Sequence, residues 1–358
     1  MAKKILIGLG IAIVLIIVGF IITLSVVMSF NPNKYEGNTE EKISQYIKDK
    51  EDFRGTVLVT KGDEIIFDKS YGFANDKKKI KNDEHTQYQI GSLTKSFTAA
   101  AILKLEEEGK LKTSDPIADY LPDFPRGKDI TLHHLLTHTS GIYNYTAGKF
   151  VQNKKVTPEK IVKWFDKEKL EFEPGEKFQY SNSNYILLGM IIEKVSGMSY
   201  EQFLAENILK PAGLNETTTN RDDAKNLAIG YKGYKKDKFI DNSVPYAAGM
   251  VISTANDLLK YDKALYERKI VNEESLKKLF TPEKDDYAYG WINTEMFGEK
   301  VHWHNGGING FRSIMSYFPD QGYTIIVLSN NVMENVDSAA MDISAILFNK
   351  KLSILDRF

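Results

Sequence analysis

The chain contains no cysteine. That excludes disulfides, a thiol nucleophile and cysteine-ligated zinc. It has no long basic run, and its formal net charge is −1 over 358 residues, so nothing points to nucleic acid. There is no glycine-rich phosphate loop and no internal repeat. One absence is local: residues 5–28 carry no charge. About 24 mostly apolar residues are enough to cross a bilayer at a rise of about 1.5 Å each. Lys3 and Lys4 precede them, which places the N-terminus in the cytoplasm and the remainder outside. The exit, Val26-Val27-Met28-Ser29-Phe30, lacks the small-x-small pattern of a cleavable signal. The expectation is an uncleaved single-pass anchor in the cell membrane. Residues 1–4 form its cytoplasmic tip, 5–28 lie in the lipid bilayer, and 29–39, with Pro32 and Gly37, form a linker.

Residues 40–350 read as one α+β domain. Ile43, Tyr46 and Ile47 recur at helical spacing within 40–49. Residues 56–60 and 65–67 flank a Lys61-Gly62-Asp63 turn and predict a β-hairpin. From about 86 to 285 the pattern is helical with long loops. Strands return at 289–292, 301–304, 314–318 and 324–328, followed by a helix over 336–348. The sheet parts are therefore about 40–85 and 286–350. The arrangement predicts an antiparallel sheet flanked by N- and C-terminal helices, with an all-helical subdomain inserted.

Ser-x-x-Lys occurs twice, at Ser92-Leu93-Thr94-Lys95 and at Ser275-Leu276-Lys277-Lys278. Roughly two matches are expected by chance in a chain of this length. The second lies in a polar stretch that reads as a solvated helix start. The first precedes Phe97-Thr98-Ala99-Ala100-Ala101-Ile102-Leu103, apolar nearly all round, with Gly109 placed to cap the helix. Positions three apart share a helix face, so the Lys95 amine can reach the Ser92 hydroxyl. Ser92 at a helix N-terminus favours developing negative charge. Burial should lower the Lys95 pKa. A drop of about three units, roughly 4 kcal/mol, makes a lysine a base at neutral pH.

Tyr180 and Asn182, two apart before a helix over 186–195, share a side in an extended loop. A phenol can shuttle a proton and a carboxamide can hold a carbonyl; turn chemistry is the alternative. His302 and His304 alternate onto one strand face, and Asn305-Gly306-Gly307 then brings bare backbone close to any ligand. No third metal ligand accompanies the pair. His134 and His138 lie four apart with no glutamate between them, so packing or capping is expected rather than zinc. Ser140 has no Gly-x-Ser-x-Gly elbow around it.

Together these residues resemble the serine β-lactamase/penicillin-binding-protein superfamily. The resemblance is to its class C-like branch, which includes D-Ala-D-Ala carboxypeptidases, D-aminopeptidases and esterases. Ser92 and Lys95 match its first element, Tyr180 and Asn182 its second, and His304-Asn305-Gly306 its third. Residues 135–141, 114–116 and 248–257 look family-like too. The resemblance implies that Ser92 is acylated, that Lys95 and Tyr180 share proton transfer, and that Asn182 orients substrate. It further implies that the N–H groups of Ser92 and Gly307 form the oxyanion hole, a contribution of about 3–4 kcal/mol. His304, Asn305 and Gly306 would line the strand edge beside the substrate. No metal and no cofactor is implied.

Class C β-lactamases resemble Lys-Thr-Gly at the third element; histidine there looks more like the peptidases and esterases. A neutral imidazole also grips a β-lactam carboxylate less strongly than lysine does. The expectation is a serine hydrolase acting on D-amino-acid amides or esters of the bacterial envelope, such as peptidoglycan stem peptides or D-alanyl esters. β-Lactams are expected as further ligands. The alternatives are a β-lactamase and a catalytically silent binder of β-lactams or wall fragments.

Overall fold

The structure is a computed structural model and describes residues 29–50 and 52–353. The anchor expected at 5–28 lies outside them. Among the described residues, no helix is long and apolar enough to cross a membrane. The described residues divide into two compact units, one of residues 29–50 with 338–353, the other of residues 52–337.

In the first unit the helix Thr39–Asp49 begins at a capping box. The Asn38 side chain accepts from the Glu41 N–H, and the Glu41 carboxylate accepts from the Asn38 N–H. Its buried face carries the expected Ile43, Tyr46 and Ile47. Tyr46 donates to Asp342 at 2.8 Å. Asp342 belongs to the helix Val336–Phe348, most of which lies in this unit.

The second unit holds a six-stranded antiparallel sheet. Its strands are β1 (Gly55–Lys61), β2 (Glu64–Tyr71), β3 (Ile292–Met296), β4 (Glu299–Ile308), β5 (Phe311–Phe318) and β6 (Tyr323–Ser329). Their order across the sheet is β2-β1-β6-β5-β4-β3. β1 and β6 pair in full register from Gly55↔Ser329 to Lys61↔Tyr323, which closes the sheet from residues far apart in sequence. Val57, Val59, Ile325 and Val327 are buried, as are Leu58 and Ile326 on the opposite face.

The segment between β2 and β3 is mostly helices and long loops, but it is not all-helical. Tyr88–Gln89 pairs with Ile252–Ser253, and Tyr231–Lys232 pairs with Lys235–Lys236. The first pairing ties the segment just before Ser92 to a distant partner. Such two-residue strands leave no periodicity to read. The helix Thr94–Glu107 is buried on every side from Thr94 to Leu103 and packs against the helix Asn182–Ser196. Gly109, at φ +68°, ends it as expected.

Candidate active site

Gly91-Ser92-Leu93 forms a single 3-10 turn that runs directly into the helix Thr94–Glu107. This puts the Ser92 N–H among the first-turn donors, which lack an intrahelical partner. Gly91 stands at φ +51°, and a methyl group there would come within 2.9 Å of the Gly307 nitrogen. A methyl on Gly306 would run into the Ile90 carbonyl oxygen, and one on Gly307 into the Arg312 guanidinium. The serine turn and the Gly306-Gly307 stretch of β4 therefore meet backbone to backbone. That contact is possible only because side chains are absent.

Lys95 is fully buried. Its Nζ lies 2.8 Å from Asn182 Oδ1, 2.9 Å from the Ala248 carbonyl oxygen and 3.1 Å from Ser92 Oγ. It sits 4.9 Å above the Tyr180 ring. Among the described residues no carboxylate pairs with it, and burial drives its pKa well below the ordinary lysine value. A neutral amine has two N–H donors and one lone pair. Asn182 Oδ1 and the Ala248 carbonyl can only accept, so they take both donors. The lone pair is left for the Ser92 O–H.

Tyr180 is fully shielded at its hydroxyl, which makes no hydrogen bond. Burial raises its pKa, and the nearby Ser92 hydroxyl acts in the opposite sense. Asn182 is not in an extended loop. It is the first residue of the helix Asn182–Ser196, and the extended Ser181 precedes it. The helix start aims Oδ1 at Lys95, while its amide nitrogen faces Asn144 Oδ1 at 3.4 Å and Thr146 Oγ1 at 3.3 Å.

His304 departs from an open strand edge: it is 1% exposed. Its Nδ1 lies 2.6 Å from its neighbour's carbonyl, Asn305 O, and its Nε2 lies 3.0 Å from the Tyr287 hydroxyl. A carbonyl only accepts, which puts the ring proton on Nδ1 and lets Nε2 accept from Tyr287. Burial, reinforced by Lys95, lowers its pKa to about 3, so the ring is neutral. The Asn305 amide is turned to Asp337 Oδ1 at 2.9 Å. Gly306, the last residue of the third element, is buried, and Gly307, which follows it, is exposed.

Three side chains at this site carried no site signal in the sequence. Asn144 Oδ1 accepts from the Asn182 N–H. His138 stands in the left-handed region at φ +57°. Its carbonyl accepts from the Gln179 N–H and its Nδ1 from the Ser181 N–H, and its ring packs 4.3 Å from that of Tyr180. It thus clamps the segment that carries Tyr180, so packing is its observed state. Tyr287 comes from a loop with no motif around it. His134 closes a capping box with Thr131. Ser275 is buried at a helix start, and Lys278 turns to Glu106 at 2.9 Å, so that second match forms no pair. His302 packs against Phe280, with ring centroids 4.2 Å apart. Among the described residues, no group of three metal-ligating side chains converges.

The family model described as Beta-lactamase matches residues 41–350. The chain belongs to the beta-lactamase family. A curated relative within reach of that family match is PbpX of Bacillus subtilis (strain 168). It is 37% identical over 303 residues, covering 82% of this chain and 74% of PbpX. The crystal structure of a penicillin binding protein from Bacillus halodurans superposes with a TM-score of 0.75 at 30% identity. It covers 86% of this chain and 99% of that one. A D-stereospecific amidohydrolase from Streptomyces sp. gives 0.70 at 27% identity, covering 82% and 93%. The six-stranded antiparallel sheet with its helices is thus a beta-lactamase/transpeptidase-like α+β fold, of the penicillin-binding-protein-like serine hydrolases.

Proposed function

We propose that this chain is a membrane-anchored, extracytoplasmic serine hydrolase that works through an acyl-enzyme on D-amino-acid amides or esters of the bacterial envelope. The observation that carries the reading is the donor count at Lys95. Its fully buried Nζ lies 3.1 Å from Ser92 Oγ, 2.8 Å from Asn182 Oδ1 and 2.9 Å from the Ala248 carbonyl oxygen, so once deprotonated, with its N–H groups on Asn182 and Ala248, it presents its lone pair to Ser92. As Ser92 Oγ attacks a substrate carbonyl carbon, its proton passes to Lys95 Nζ. The carbonyl oxygen becomes an oxyanion beside the Ser92 and Gly307 N–H groups. The tetrahedral species collapses, and the leaving amine or alkoxide departs with a proton delivered through the Lys95 and Tyr180 pair. Water then attacks the ester, the same groups take its proton, and Ser92 is restored.

Peptidoglycan stem peptides and D-alanyl esters are the substrates in view. The names of the Bacillus halodurans and Streptomyces proteins support a penicillin-reactive, D-selective centre. A neutral, buried His304 offers no charge to a β-lactam carboxylate, which counts against efficient β-lactam hydrolysis.

Labelling with a fluorescent penicillin and a fluorophosphonate tests the reading. Both probes are expected to label the chain, and both labels should vanish in Ser92→Ala and in Lys95→Ala. Label that persists in Ser92→Ala overturns the nucleophile; label that persists in Lys95→Ala overturns the base. Fast release of hydrolysed penicillin would make the chain a β-lactamase instead. A stable adduct with no turnover of any D-Ala amide or ester would make it a silent binder.

A further inference from the structure

The chain is nearly neutral overall, yet one region of the 52–337 unit is strongly basic. The hairpin joining Phe73–Asn75 to Ile80–Lys81 carries Lys77, Lys78, Lys79 and Lys81. The hairpin Tyr231–Lys232/Lys235–Lys236 carries Lys232, Lys235 and Lys236, with Lys238 just beyond. All eight lysines are exposed, and among the described residues none lies within 4.0 Å of a carboxylate.

The two hairpins are neighbours. The Tyr231 hydroxyl accepts from the Asp76 N–H at 2.8 Å. Arg54 lies between them, pairing with Asp76 at 2.6 Å, with its guanidinium 5.2 Å from the Tyr231 ring and 5.4 Å from that of Tyr234. A third turn joins them: the Gly233 N–H donates to Asn331 Oδ1 and the Val332 N–H to the Tyr231 carbonyl. Of the carboxylates carried by these turns or bonded to them, Asp76 pairs with Arg54 and Asp52 accepts from the Tyr234 hydroxyl; Asp237 follows the second hairpin and Glu334 follows Met333.

Apolar side chains project from these same three turns. Ile80 is 52% exposed, Tyr234 71% and Met333 64%. Lysines alone would protect the edges of two short hairpins from further pairing. That role gives no reason to expose an isoleucine, a tyrosine and a methionine among them. A phosphate polymer in water would engage the lysines and leave those three unburied. A bilayer surface engages both: headgroup charge attracts lysines, and the interface takes up apolar and amphipathic side chains.

We propose that these turns form a docking surface for a bilayer with anionic headgroups, which lays the 52–337 unit against the membrane. This reading is independent of Ser92, since a chain inactivated there would still dock.

The absence of native cysteine gives a clean probe site. Full-length Met333→Cys, carrying a polarity-sensitive fluorophore, is reconstituted into vesicles of phosphatidylcholine alone or with phosphatidylglycerol. A blue shift is expected only with phosphatidylglycerol. It should disappear in about 0.5 M salt, where screening is short-ranged. Each lysine is worth about fivefold in the docked-to-free ratio. Lys78→Gln, Lys79→Gln, Lys235→Gln and Lys236→Gln combined should lower that ratio by several hundred-fold and abolish the shift. A label at Glu159→Cys should not respond. Equal shifts at Met333 and Glu159, or a shift that ignores phosphatidylglycerol, overturn the proposal. So does retention on soluble poly(glycerol phosphate) with no shift on vesicles, which would mark a polyanion site.

Discussion

Lys95 is fully buried, and among the described residues no carboxylate pairs with it, so its proton equilibrium is tied to both catalysis and folding. Its folded pKa lies well below 10.5. Between that folded value and 10.5 the unfolded chain holds a proton that the folded chain has lost. Unfolding free energy therefore rises with pH across that window, by up to about 1.4 kcal/mol per unit. Urea unfolding from pH 7 to 9.5 should show the native chain gaining stability relative to Lys95→Met, and a flat difference would contradict the neutral amine. Penicillin acylation should climb with pH through the same lowered value. His304, at about 3, and His138, held well below its usual range, add no limb near neutrality. The pairing of Ser92 with Lys95 was legible because both ends lie within one helical turn. The state of His304 was not, since Tyr287, which accounts for its second nitrogen, comes from a separate loop. Nor was the clamp at His138, whose partners lie about forty residues on and act through backbone groups.

At the scale of elements, the regular pieces were readable where periodicity was long. The hairpin of β1 and β2, the last three strands and the helix Val336–Phe348 follow their patterns, whereas the strand expected over 289–292 begins only at Ile292 and runs to Met296. The start of the helix Asn182–Ser196 was misplaced because its first turn is polar, Asn182-Ser183-Asn184, with Ser183 and Asn184 buried on hydrogen bonds to the distant Tyr143 carbonyl and Ser140 hydroxyl. The junction of β4 with the serine turn yields a sharp expectation. In Gly306→Ala the new methyl meets a main-chain oxygen, Ile90 O, rather than a flexible side-chain tip. Strand and turn must separate, at a cost of about 1–3 kcal/mol or more. Chemical denaturation should show that loss together with slowed acylation, whereas Gly148→Ala, whose new methyl meets nothing closer than 3.4 Å at an ordinary φ, should lose far less. Unchanged stability in Gly306→Ala would mean that the two backbones are not in contact.

For the whole molecule, the sequence predicts a catalytic domain outside a membrane, and the docking proposed for the lysine hairpins would add a second membrane-facing feature. Full-length chain is expected in the membrane fraction and to resist extraction by salt or carbonate while yielding to detergent. Recovery in the soluble fraction would refute the anchor. What composition could not reveal is the segregation of charge. A net of −1 conceals a basic region, because the hairpins that build it are joined by folding rather than by sequence.

The meeting of Gly91 with Gly307, and of Gly306 with Ile90, has a consequence for anyone redesigning this enzyme. The spacing between the serine turn and strand β4 is set by main chain on both sides, so no rotamer change can widen or narrow it there. New substrate preference has to be written elsewhere, in the loop that carries Asn144 and Thr146 against Asn182. Libraries built on that loop would vary the shape of the entrance while the reaction geometry stays constant.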